Sequence, residues 1–184
     1  ENQMAIHWNF DSKYTFTNKN FAKIYSFFVI ESPVEGTSKR GITFKQRNTD
    51  LNSLSACMKR DVPPLKVSWL SAPSKDVESK VKEYGIYESV KLPCEIAIHS
   101  EKNNSKVIGL YYAVRCALAH GAFSIHQYKD AMYYFLENKD NGILKGRIVL
   151  KEESLLALIN AIETASTKKP RKKAKKREKE LVTV

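Results

Sequence analysis

Apolar residues recur at helical spacing over residues 18–31, where Phe21, Ile24, Tyr25, Phe28 and Val29 share one side and Asn18 or Asn20 is placed to cap. Ser32-Pro33-Val34-Glu35-Gly36 breaks that pattern, and residues 41–46 read as a short strand or an irregular link. A second helix is expected over residues 50–60, with Leu51, Leu54 and Met58 inward and Pro63-Pro64 as its stop. A third runs over residues 74–84, capped by Ser74, with Val77, Val81 and Tyr84 on its apolar side and Gly85 closing it. Residues 86–100 alternate poorly and contain Pro93, so the pattern assigns them no element. The central helix spans residues 104–121, with Val107, Leu110, Tyr111, Val114 and Leu118 forming the stripe it should bury. Residues 131–137 and 143–150 are aromatic and β-branched and flank a link containing Asn141-Gly142, a hairpin signal. A last helix over residues 152–164 packs Leu155, Leu156, Leu158, Ile159 and Ile162, with acidic residues in its first turn where the helix dipole favours them. The expected fold is mainly α: a helical bundle with a C-terminal β-hairpin and a final helix.

The 184 residues suit one domain, expected at 1–166, followed by a tail at 167–184. Residues 168–180 hold nine Lys or Arg against two Glu, a net +7 of the chain's +11, so the body is mildly basic and the tail strongly so. Such a balance favours polyanions, nucleic acid above all, because released counterions drive the association. Lys168, Lys169, Arg171, Lys172, Lys173, Lys175, Lys176 and Arg177 are the candidate nucleic-acid-binding residues there. Cys57, Cys94 and Cys116 are odd in number and contain no C-x-x-C pair, which points away from a disulfide framework and towards a reducing, cytoplasmic setting. No membrane span and no signal peptide are expected from the apolar runs or from the first ten residues.

Candidate chemistry concentrates in Arg115-Cys116-Ala117-Leu118-Ala119-His120 and the Gly121 that follows. A guanidinium holds phosphate through a planar fork of donors and stabilises added negative charge. An imidazole moves protons near neutral pH. RNA brings its own nucleophile, the 2′-hydroxyl, so this pair suffices for cleavage without a metal. On one regular helix the two side chains stand about 140° apart. Either the last turn distorts ahead of Gly121, or each group meets a counterpart on a second molecule. On the residues alone, Arg115 and His120 read first as a solvated helix margin and a C-terminal cap. Cys116, His120 and His126 offer three ligands of a zinc site without a fourth. Tyr111, Tyr112, Tyr128, Tyr133, Tyr134 and Phe135 read first as core, although aromatics of this kind also stack on unpaired bases.

Residues 108–124, leading into Arg-x4-His-Gly, resemble the HEPN superfamily. The hairpin beginning Met132-Tyr133-Tyr134-Phe135 and the helix of residues 150–162 narrow the resemblance to HEPN domains of prokaryotic conflict systems, including a plasmid-borne group. The resemblance spans residues 108–163, and the first hundred residues share only helical character with it. It implies a helical bundle that forms a homodimer or higher oligomer, with Arg and His of two protomers lining one cleft. The implied activity is that of a metal-independent endoribonuclease, acting as a toxin or anti-phage defence effector, with RNA as substrate and an antitoxin or sensor as restraining partner. No cofactor is called for. Arg115 would grip the scissile phosphate, His120 would serve as general base or acid, and Cys116 would support them, standing where many active members carry Asn, Asp or His. Regulation by modification of a tyrosine two residues after the histidine is not expected, since Ala122 is there. The alternative is a non-catalytic HEPN module for dimerisation and nucleic-acid binding.

Overall fold

A computed structural model describes residues 3–10 and 18–167. The basic tail, with every cation singled out from Lys168 to Arg177, lies outside the described residues. In chain order the elements are β1 (Met4–His7), α1 (Lys19–Tyr25) running into a π-helical segment (Ser26–Ile30), α2 (Leu51–Asp61), a 3-10 turn (Pro63–Lys66) and β2 (Trp69–Ala72). A second 3-10 turn (Ser74–Asp76) leads into α3 (Val77–Glu83), then β3 (Ser89–Leu92), β4 (Ile96–Ser100), α4 (Lys106–Ala119), β5 (Phe123–Tyr128), β6 (Ala131–Asp140), β7 (Ile143–Lys151) and α5 (Glu152–Thr167).

The helices fall where periodicity places them, and the hairpin is β6 and β7. The mainly helical bundle is nonetheless wrong. The fold is mixed α/β, built on a five-stranded sheet of order β2-β4-β7-β6-β5 with a separate β1-β3 ribbon. β2 and β4 run parallel and the other neighbours antiparallel. The reason is physical: both faces of the sheet are covered, so its central strands lack the polar alternation of a half-exposed strand. In β4, Ile96, Ala97, Ile98 and His99 are all buried.

One face carries α1, the π-helical segment, α2, α4 and α5, packed on Ala97, Tyr134, Leu136, Ile148 and Leu150. The other carries α3 and the ribbon, packed on Ile96, Ile98, Tyr133, Phe135 and Val149. Adjacent residues of β6 thus feed opposite cores, as the two-residue period of a strand demands. Of the aromatics read as core, Tyr111, Tyr133, Tyr134 and Phe135 are buried. Tyr111 also donates from its hydroxyl to the Leu158 carbonyl at 2.7 Å, tying α4 to α5.

α4 presses closely on β4. A Cβ added at Gly109 would lie 2.5 Å from the Ser100 carbonyl oxygen and 3.0 Å from His99 Nδ1, so only glycine permits this approach. His99 is fully buried there, its Nε2 accepting from Trp69 Nε1 at 2.8 Å and its Nδ1 lying 2.9 Å from the Ser100 carbonyl. Those partners define a neutral ring with the proton on Nδ1. Burial pushes its pKa down to about 4, and the nearby Lys106 ammonium adds to the shift. The folded protein therefore resists protonation that the unfolded chain accepts below pH 6.5. Stability is full above that value and falls as the pH drops towards 4, by about 3 kcal/mol from this group. Urea unfolding at pH 7 and pH 4.5 should show that loss in the wild type and a shallower pH dependence in His99→Gln.

Candidate functional site

α4 starts at Ser105, whose hydroxyl accepts from the Ile108 amide at 3.2 Å. It ends in a paired closing motif: the Gly121 amide donates to the Leu118 carbonyl at 3.3 Å, the Ala122 amide donates to the Ala117 carbonyl at 2.9 Å, and Gly121 takes φ +70°. His120 is the residue at the cap and is exposed. The helix stays regular to Ala119, so no distortion folds His120 back towards Arg115, and no hydrogen bond joins the two among the described residues. The rise between them is about 7.5 Å and the divergence about 140°. A single chain does not bring its own pair together.

Arg115 is half-buried. Its Nη2 donates to the Thr37 carbonyl at 3.3 Å, which pins the segment between the π-helical turn and α2. Its Nε is buried without an acceptor, and no carboxylate pairs with the guanidinium among the described residues. A buried donor without a partner is uncommon and calls for an explanation, such as a bound ion or a functional role. The pinned segment carries exposed Lys39 and Arg40 beside this guanidinium's anchor, and sequence reading gave no sign of it. Gly41 closes it, since a Cβ there would lie 2.3 Å from the Glu31 and Ser32 carbonyl oxygens.

Cys116 is buried one turn after Tyr112 on the same helix. The thiol pushes the Tyr112 hydroxyl pKa up, burial adds to this, Arg115 opposes it and Asp140 reinforces it. Tyr112 and Asp140 also line one crevice.

The zinc reading does not survive. Ser124 and His126 point from β5 to the sheet face opposite α4, where His126 Nε2 lies 2.8 Å from Ser124 Oγ and its ring packs edge-on against Phe135 with centroids 5.0 Å apart. His126 thus cannot meet Cys116 and His120. Among the described residues no group of three His, Cys, Asp or Glu side chains is placed to hold a metal. No helix among them is long and apolar enough to cross a membrane.

Comparison with known proteins finds no matching family model, no matching curated protein and no matching solved structure.

Proposed function

We propose that the protein is a metal-independent endoribonuclease whose cleaving unit is a pair of chains, with Arg115 of one protomer and His120 of the other acting on the same phosphodiester. The observation that carries this reading is Arg115: a permanent cation with no carboxylate partner and a buried Nε–H lacking an acceptor among the described residues, on the same helix as an exposed imidazole. The guanidinium's outer Nη donors suit a phosphate oxygen, and a phosphorane still better. His120 would take the proton from the 2′-hydroxyl or return one to the leaving 5′-oxygen. The attack forms the bond from the 2′-oxygen to phosphorus and breaks the bond to the 5′-oxygen, leaving a 2′,3′-cyclic phosphate. The assignment of roles follows the Arg-x4-His spacing alone, which resembles that of HEPN domains. The Arg-x4-His motif here is carried on an α/β scaffold.

The basic tail would retain RNA by charge, and a reducing cytoplasm suits three free thiols. An unrestrained ribonuclease damages its own cell, which fits a toxin or defence effector kept in check by a partner.

The test is incubation of the full chain with total RNA in EDTA, followed by mapping of new ends. Cyclic phosphates at those ends, with DNA of the same sequence left intact, are the expected result. Absence of any cut by the purified oligomer would overturn the reading. A second reading, a non-catalytic nucleic-acid-binding module, is favoured by the Arg115 contact to Thr37, which gives the guanidinium a structural task. In that case RNA binds, no product forms, and Arg115→Ala weakens affinity alone.

A further inference from the structure

β2 and β4 are parallel neighbours, yet the chain leaving β2 goes to α3 on one face and the chain leaving β4 goes to α4 on the other. A crevice opens where such connections diverge at the carboxyl ends of parallel strands, and ligands of open α/β sheets bind there. Here the crevice measures about 260 Å³ and is bounded by Ser74 after β2, Glu101 after β4, Tyr112 on α4, and Asn138, Asp140 and Lys145 from the β6-β7 end.

Asn138 sits at a register shift of β6 and lines the crevice while only 7% exposed. An amide that borders an open crevice can turn its donor and acceptor to a ligand in place of water. Asn offers a donor and an acceptor side by side, the pairing that matches adenine through its N6 amine and an adjacent ring nitrogen. Asp140 adds a carboxylate acceptor suited to an exocyclic amine. Tyr112 supplies an aromatic wall; the Lys102 ammonium now lies over its ring at 4.5 Å from the centroid and would shift to a neighbouring phosphate when a base arrives. At about 260 Å³ the crevice is roomy enough for one planar base.

We infer that this crevice holds one unpaired adenine of the RNA, read by Asn138 and walled by Tyr112, beside Arg115 on the same helix. The inference rests on the reading of the protein as one that acts on RNA, and it names the substrate: single-stranded RNA with adenine next to the bound phosphate. Unpaired bases splayed onto an aromatic and read along their edges are the usual basis of sequence-specific RNA recognition.

The full chain should be titrated with fluorescent 2′-O-methyl 12-mers of A or of U, which lack the attacking hydroxyl, so binding is read apart from cleavage. The A 12-mer is expected to bind about tenfold more tightly, the discrimination a good bidentate pair gives. Asn138→Leu should erase the preference and leave weaker, salt-sensitive binding of both oligomers. Asn138→Asp keeps the shape at the register shift but loses the amide donor, and it too should lose the preference, which guards against a leucine variant that fails to fold. Equal binding of A and U by the wild type, or a preference unchanged in Asn138→Asp, would overturn the inference. An intact A preference with no cleavage of ordinary RNA would remove the ribonuclease reading and leave the pocket standing. Cleavage indifferent to the base would do the reverse.

Discussion

His120→Ala should lower RNA cleavage by about 10²- to 10⁴-fold, the usual contribution of a positioned proton-transfer group, while changing RNA affinity little. The imidazole is exposed at the cap of α4, and the closing hydrogen bonds there run between backbone groups of Ala117, Leu118, Gly121 and Ala122, so alanine leaves the helix end in place. Arg115→Ala should lose cleavage too, and with it some of the order of the segment held at Thr37. A mixture of the two inactive proteins is the sharper measurement. If Arg115 of one chain works with His120 of the other, half of the reassembled pairs are mixed and each has one complete site of two. Cleavage should then return to about a quarter of the wild-type rate in a two-fold dimer. A mixture as inactive as its components would place any catalysis within a single chain, which the divergence along α4 opposes.

Glu137→Ala should destabilise the fold by about 3–5 kcal/mol, the cost of leaving a buried charge without its partner. Glu137 and Arg147 face each other in register across β6 and β7, both nearly inaccessible, with Arg147 Nη2 at 2.7 Å and Nε at 2.8 Å from the same carboxylate oxygen. The guanidinium also donates to the Ile86 and Tyr87 carbonyls and lies 4.5 Å from the Trp8 ring centroid and 5.1 Å from that of Tyr87. One cation thus joins the sheet to the loop before β3 and to the residue after β1. Removing the carboxylate strands it against rings and carbonyls, and thermal unfolding should show the loss directly. Glu137→Leu combined with Arg147→Met should cost much less than either change alone, because no charge is then left buried.

The local part of this fold was readable from the sequence and the distant part was not. The apolar stripe of residues 107–118 announced α4, and Gly121 announced its end, because helix period and a left-handed closing residue are properties of neighbours in the chain. Asn141-Gly142 marked the β6-β7 turn for the same reason. β2 is four residues long and β4 is buried on both faces, so neither shows alternation, and their pairing joins residues 69–72 to 97–100 by contacts that no local window contains. β5 was missed although Phe123 and Ile125 alternate with Ser124 and His126, a period of two over too few residues to stand out beside the helix before it. At the site, Arg115 and His120 could be singled out by residue type, and their divergence could be computed. The Thr37 anchor, 78 residues away, and the crevice assembled from the ends of four strands could not.

Gly109 gives α4 its seat on β4, and Tyr112, Arg115 and His120 all ride on that one rod. Any shift in the seat would carry Tyr112, Arg115 and His120 along together by the same amount, so their mutual spacing is fixed by helix geometry rather than by the sheet beneath. If the proposed RNA reading holds, retuning towards another RNA would therefore fall to Asn138, Asp140 and Lys145, which belong to the opposing hairpin and not to the rod.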